Sequence, residues 1–400
     1  MNKPPPELGP RVLFFTGGTA LADISRELAG HTYNSVHVVT PFDSGGSSAR
    51  LRRVLDIPAV GDLRNRLLVL ADSAVTPAAA PALCGRRLPE EGARDDLLQE
   101  LYSLASARSS VWTEIPRALG EVLRLHLQYF LETMPAHFDP RGACIGNLIL
   151  AGGWVHHGGD LLPTLGILSR LLHVRGLVLP VVQENLHLAA ELENAEFVVG
   201  QHRITGRRNA LPAPVRRLFL TPQRPESTLL PAERRPRVAS LVATYIRAAD
   251  CICYPMGSFY TSLLANLLPT GVGTAVSKAE CPKLYIPNSG VDPEQRGLSV
   301  AGAVALLLST LRRDAGAQTD SARLLNAVLV DGAHGSYPDG IDAEGVKAQG
   351  VEIRDLPLVQ TGNVQRHAPE LVTRAVLSAV EHYAAPLPPG LGRSQRRRVL

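Results

Sequence analysis

Residues 11–40, RVLFFTGGTALADISRELAGHTYNSVHVVT, restrict the fold more than any other part of the chain. An apolar run, RVLFF at 11–15, gives way almost at once to Gly17–Gly18; a helical pattern, ALADISREL, follows, and then a second run rich in β-branched residues, SVHVVT at 35–40. Strand, glycine turn, helix, strand is the beginning of a parallel α/β sheet.

The rest of the chain supports that frame. VGDLRNRLLVLAD (60–72) predicts a helix with Asp62 near its N-cap, and helical patterns fill 94–133 and, broken at Gly158–Gly159, 144–174. Residues 42–52 and 73–93 read as loops. Strands are expected at 176–182, in a hairpin turning near Glu193–Asn194 and running on through GQHRI, and at 216–220, 251–255, 283–288, 325–331 and 351–359. Between them, 237–250, 258–268, 300–313 and 369–383 read as helices. The expected architecture is a Rossmann-like parallel sheet with helices on both faces. It forms one domain over 11–384, with a helical insertion at about 94–174, a disordered polar leader at 1–10 and a basic flexible tail at 385–400.

Composition narrows the function classes. Apolar residues make up 45 % of the chain, enough for a sizeable core, and a net charge of +4 is too small an excess to argue for nucleic acid. No run approaches the roughly 18 apolar residues of a membrane span, and VLFF is too short for a signal peptide. Five scattered cysteines, including the C-x-C of Cys251 and Cys253, lack zinc-site spacing and read as buried thiols of a reduced, cytoplasmic protein.

Loops at the carboxyl ends of strands are where such sheets bind ligands. Gly17, Gly18 and Thr19 follow the first strand without a Walker lysine, so a tight turn and a phosphate contact are both open readings. FDSGGSSARLR (42–52) follows the second. Asp43 there is placed for a sugar hydroxyl or a metal, Gly45 and Gly46 for a nest of N–H groups, Ser44, Ser47 and Ser48 for hydroxyl contacts, and Arg50, Arg52 and Arg53 for phosphate oxygens. Gly257, Ser258, Tyr260 and Thr261 open a later helix in the same manner, as do Gly146 and Asn147. Asp62 serves as an N-cap or, beside Asp43, as half of a Mg²⁺ site. Adjacent histidines point apart on a helix, so His156–His157, like the DGAHG at 331–335, read as surface or loop residues. No G-x-S-x-G elbow is present, which argues against a serine hydrolase.

Taken in order, TGGTALADISREL, FDSGGSSARLRRVLDIPAVGDLRNRLLVLAD, IGNLILAG, VLPVVQENLHLAAELENAEFVVGQHRIT and YPMGSFYTSLLANLLPTGVGTAVSKAECPKLYIPN resemble the CofD/YvcK superfamily over about residues 11–310. Within it the chain looks closest to the CofD-like proteins named for the GAK gene system. The resemblance implies a Rossmann-like fold and a nucleoside-diphosphate-linked ligand. CofD enzymes are Mg²⁺-dependent transferases that move a phospholactate group from a guanosine diphosphate-linked donor to a deazaflavin alcohol. YvcK proteins bind UDP-N-acetylglucosamine as regulators. By the same resemblance Asp43 and Asp62 are the expected catalytic and metal-binding residues, Asn65 of GDLRN and Asn288 of KLYIPN join the ligand-binding set, and a homodimer is expected. The chain departs from the pattern at Phe42–Asp43–Ser44, which holds one carboxylate where an adjacent acidic pair is usual, and at PMGS, where YvcK has GPGS.

Overall fold

Seven parallel strands form the central sheet of the computed structural model, which describes residues 5–205, 211–360 and 362–384. Chain order begins with β1 (Val12–Thr16), β2 (Val36–Val39) and β3 (Leu177–Pro180). A separate three-stranded sheet then forms from β4 (His187–Leu192), β5 (Phe197–Val199) and β6 (Val215–Thr221). The main sheet resumes with β7 (Cys251–Tyr254), β8 (Lys283–Tyr285), β9 (Ala327–Val330) and β10 (Glu352–Asp355). In space the order is 10-9-8-7-1-2-3. The chain therefore winds outward from β1 to β3, crosses back to β1's other side at β7, and winds outward again.

Both faces of the sheet are covered, which explains the near-continuous apolar strands. Leu13 and Phe15 of β1 pack on one face with Ile252 and Tyr254 of β7, while Val12 and Phe14 pack on the other with Cys251 and Cys253. Helix α1 (Ala22–Ala29), which follows β1, lies on the second face with the C-terminal helix Pro369–Ala384. The segment after β7 lies on the first face, where Phe259 and Leu263 join the core. The crevice between β1 and β7 is thus the point at which the winding reverses, the place where doubly wound sheets bind ligands.

Between β2 and β3 stands a helical layer. Its helices are α2 (Gly46–Val54), α3 (Gly61–Leu70), α4 (Ala79–Gly85), α5 (Arg94–Ala105), α6 (Arg117–Thr133), α7 (Ile145–His156) and α8 (Leu161–Leu171). Their leucine-rich faces share one core with Val39 and Val178. Two stretches expected to be loops contribute helices: ARLRRV is a good helix-forming run despite the preceding glycines and serines, and AAPALCG packs Leu83 and Cys84 into the layer. The chain also bends at Gly200, ending the expected strand at Val199 and starting a single helical turn, Gln201–Ile204.

Residues 5–10, expected within a disordered leader, are tied to the start of β2. The Tyr33 N–H donates to the Pro6 carbonyl at 2.8 Å, and the Asn34 amide donates to the Glu7 and Gly9 carbonyls at 2.9 and 2.8 Å. The basic tail expected at 385–400 lies outside the described residues.

Candidate functional site

At the carboxyl ends of β1, β2 and β7 opens a cleft of about 850 Å³. Its first wall is the Gly17–Gly18–Thr19 turn. Beneath that turn lies Arg66 of α3, fully buried, whose guanidinium donates to the Thr16 and Ser25 hydroxyls at 3.1 and 2.9 Å and to the Gly17 and Gly18 carbonyls at 3.2 and 3.1 Å. A trans peptide sets its N–H opposite its C=O. The N–H groups of Gly18 and Thr19 therefore point away from Arg66. A Cβ at Gly17 would collide with the Ser262 hydroxyl, so glycine is what lets the two loops close on each other. Burial lowers the Arg66 pKa to about 10, with Asp62 opposing the shift, which leaves a full positive charge under the turn at neutral pH.

The second wall is the β2–α2 loop. Asp43 accepts the Gly45 N–H at 2.9 Å, and Gly46, at φ 48°, takes a conformation natural to glycine as α2 begins. The first-turn N–H groups and positive end of α2 lie at the cleft, an arrangement suited to an anion. Ser44 lines the cleft with Gly45, Gly46 and Arg50. Ser47 and Ser48 do not: both are buried on the opposite side of α2, where the Ser47 hydroxyl accepts the Cys144 N–H at 2.9 Å. Arg52 also turns inward, donating to the Asp43 and Leu186 carbonyls at 2.8 and 2.5 Å and to Asn185 at 2.8 Å.

Asp62 sits at the floor. It is not an N-cap, because α3 starts at Gly61 and places Asp62 inside the first turn. A Cβ on Gly17 or Gly18 would lie 3.5 Å from its carboxylate, and one on Gly61 would lie 3.6 Å from that of Asp43, so the close turns keep both carboxylates within reach of one ligand. Burial, reinforced by Asp43, pushes the Asp62 pKa up to about 7 against the pull of Arg66 and Arg64. Two carboxylates whose charges resist coexisting are relieved by a shared proton or a cation. That pair fits Mg²⁺, which takes one or two protein carboxylates and completes its octahedron with phosphate oxygens and water. Among the described residues no three His, Cys, Asp or Glu side chains gather into a metal site. Asn65 lines the cleft beside them and accepts from Arg64 at 2.6 Å.

The third wall follows β7. Asn288 holds Gly257 from both sides: its Oδ1 accepts the Gly257 N–H at 2.8 Å and its Nδ2 donates to the Gly257 carbonyl at 2.7 Å. Phe259–Leu264 is wound as a π-helix, and Ser258 and Ser262 face the cleft. Tyr260 and Thr261 point elsewhere. Their N–H groups and the Thr261 hydroxyl all donate to buried Glu294, at 2.8, 2.9 and 2.6 Å, and the Tyr260 side chain lines a separate cavity against β6. Glu294 is pushed up to about 7 by burial, which these hydrogen bonds oppose. Gly146 and Asn147 are likewise away from the cleft: Gly146 packs against the Cys84 carbonyl, and Asn147 accepts from buried Arg64 at 2.8 Å.

Of the residues expected from sequence, the cleft gathers Gly17, Gly18, Thr19, Asp43, Ser44, Gly45, Gly46, Arg50, Asp62, Asn65, Gly257, Ser258 and Asn288. It leaves out Ser47, Ser48, Arg52, Gly146, Asn147, Tyr260 and Thr261. It also gathers Arg53, expected to meet phosphate oxygens, and adds His202, Ser262, Asp292 and Gln365. Arg66 carried a readable signal, a charged residue on the apolar Leu63–Leu67–Leu70 face of α3. His202 carried none, since its position follows from the bend at Gly200. His156 and His157 meet edge to face and lie within 6.0 Å, ring to ring, of His126 on α6, away from the cleft.

Comparisons with known proteins give the family and the fold. The sequence profile of the family described as 2-phospho-L-lactate transferase CofD matches residues 12–359. The chain is 30 % identical over 368 residues to a Bacillus subtilis protein named gluconeogenesis factor, covering 90 % of this chain and 94 % of that one. A protein of the same name from Halalkalibacterium halodurans is 28 % identical over 376 residues, covering 92 % and 95 %. A crystal structure of a UPF0052 family member from Bacillus halodurans superimposes with a TM-score of 0.67 at 26 % identity, over 92 % of this chain and 99 % of that one.

Proposed function

The chain belongs to the CofD family, and from that premise we propose that its cleft holds a nucleoside-diphosphate-linked molecule and transfers a phosphate-linked group from it to an alcohol acceptor. One observation carries the reading: the turns after β1, β2 and β7 converge on one cleft whose floor is the carboxylate pair Asp43 and Asp62. A volume of about 850 Å³ admits a nucleotide donor together with part of an acceptor. The diphosphate lies against the Gly17–Thr19 turn and the start of α2, with the charge of Arg66 behind it.

In the transfer the acceptor's hydroxyl oxygen forms a bond to the outer phosphorus. The bond from that phosphorus to the bridging oxygen breaks, and a nucleoside monophosphate leaves with the bond's electron pair. The acceptor's proton passes to the carboxylate pair. Asp43 and Asp62 would hold Mg²⁺, which would neutralise charge on the phosphate oxygens. The protein's own part is positioning and preorganised positive potential.

A second reading, a UDP-sugar-binding regulator without transfer, is favoured by the relatives named gluconeogenesis factor and by the single carboxylate at Phe42–Asp43–Ser44. One screen separates the two. Thermal-shift assays with nucleoside diphosphates and their sugar and phosphoester conjugates, with and without Mg²⁺, are followed by chromatography for released nucleoside monophosphate in the presence of alcohol acceptors. Mg²⁺-dependent release supports the transferase. Stabilisation by UDP-sugars alone, indifferent to Mg²⁺ and without release, supports the regulator, and no stabilisation by any diphosphate overturns both.

A further inference from the structure

Ser258 stands at the N-cap position of the π-helix Phe259–Leu264, where a serine hydroxyl ordinarily accepts a first-turn N–H. Here its side chain makes no capping bond. The winding begins at its carbonyl, which accepts the Ser262 and Leu263 N–H groups at 3.0 and 3.1 Å. The first-turn donors go instead to a residue 33 and 34 positions further along the chain: Oε2 of Glu294 accepts the N–H groups of Thr261 and Tyr260, and its Oε1 accepts the Thr261 hydroxyl. Glu294 is 7 % exposed, and its own backbone is pinned, because Asp292 accepts the Glu294 N–H at 3.0 Å with one oxygen and the Asn288 amide at 2.9 Å with the other. From the far side, buried Asn266 donates to the Thr16 and Ser262 carbonyls, both at 2.9 Å, and so ties the same helical segment to the end of β1.

We propose that Glu294 is a positioning residue of the cleft: it caps the π-helix in place of Ser258 and so leaves the Ser258 hydroxyl for the ligand. The proposal rests on reading the cleft as a nucleoside-diphosphate site. A serine that caps its own helix is folded back onto the backbone, whereas one relieved of capping keeps its proton and lone pairs for another partner. Ser258 lines the cleft and Glu294 does not, so the carboxylate acts through the serine rather than on the ligand. With two first-turn donors already given to a carboxylate, this wall offers a ligand hydroxyl contacts rather than the anion-binding helix start presented by α2.

Calorimetric titration with GDP and UDP, beside thermal unfolding of the same proteins, tests this. Ser258→Ala is expected to weaken binding roughly threefold to tenfold and to leave the unfolding midpoint unchanged. Glu294→Ala, which lets Ser258 turn back to the orphaned N–H groups, is expected to weaken binding about tenfold and to lower the midpoint. Glu294→Gln stays within about threefold of wild type, since one amide oxygen accepts both N–H groups. The double variant is decisive. If Glu294 acts through Ser258, adding Ser258→Ala to Glu294→Ala changes affinity by less than about twofold, whereas a merely structural Glu294 makes the two losses multiply. Multiplying losses, no loss in Ser258→Ala, or a Glu294→Gln that binds no better than Glu294→Ala overturns the role of Glu294 alone. Should Glu294→Ala not fold, Ser258→Ala decides: weakened binding at an unchanged midpoint supports the proposal, and a lowered midpoint at unchanged affinity overturns it. Failure of wild type to bind GDP and UDP overturns the reading of the cleft and the proposal with it.

Discussion

Beneath the cleft, Arg52, Arg64 and Arg66 are buried and commit most of their donors to carbonyls, hydroxyls and amide oxygens. At its rim, Arg50 and Arg53 pair with Glu90 and Glu226 at 2.7 and 3.1 Å, with the glutamates 71 % and 58 % exposed. All five are charged, yet their energetic positions are opposite. A buried guanidinium has lost its water and is held by a network that fails if one member is removed. A rim guanidinium keeps much of its hydration, so its ion pair contributes little to stability and its charge stays available to a ligand. The floor shapes the loops, and in the proposed function the rim meets what binds in them.

The sharpest way to break that comparison is Arg66→Met. It strips donors from Thr16, Ser25, Gly17 and Gly18 and removes the positive charge facing Asp62. We expect a loss of about 3–5 kcal/mol in urea-induced unfolding, and little effect would show that the floor is not a network. Next in size is Asp62→Asn, whose effect depends on pH. Asp62 has a folded pKa raised to about 7, so its favourable neutral form is fully present below about pH 4 and is lost as pH rises through 7. The variant should therefore equal wild type at about pH 4 and gain on it as pH rises, to be more stable by about 1–3 kcal/mol at pH 8. Equal stability at both values would mean that the carboxylate is well solvated.

Smaller effects test the wall and the rim. Gly46→Ala meets no atom within 4 Å, so only its left-handed backbone resists the change. A cost of about 1 kcal/mol is expected by thermal melting. Arg50→Ala closes the series: unfolding should change by less than about 0.5 kcal/mol, while affinity for a nucleoside diphosphate falls several-fold and loses part of its salt dependence. A large loss of stability at Arg50 would erase the distinction between floor and rim.

The sheet was legible because RVLFF, SVHVVT and CICYP are buried on both faces and cannot be mistaken for surface segments. The loops of the site were legible for a related reason, since glycines just after strands leave few other roles. What the sequence concealed was direction. Ser47, Ser48, Tyr260 and Thr261 are adjacent to cleft residues in sequence, but helical winding turns them away; the glycines and serines that open α2 mask the helix-forming run behind them, and composition does not mark the π-turn after Ser258. Arg66 was marked by its charge on an apolar helix face, but its partners, like those of Glu294 and His202, lie far off in sequence, and spacing within a motif does not encode such meetings.

The account rests most heavily on Asp43 and Asp62 acting together on one ligand. Calorimetric titration of a nucleoside diphosphate into wild type and Asp43→Asn, with and without Mg²⁺ at pH 8, addresses this directly. The prediction is that Mg²⁺ tightens wild-type binding at least about tenfold, the scale of one charge-assisted contact, and that Asp43→Asn loses this gain while keeping Mg²⁺-independent binding. Binding by wild type that ignores Mg²⁺, or an undiminished Mg²⁺ gain in Asp43→Asn, would contradict it.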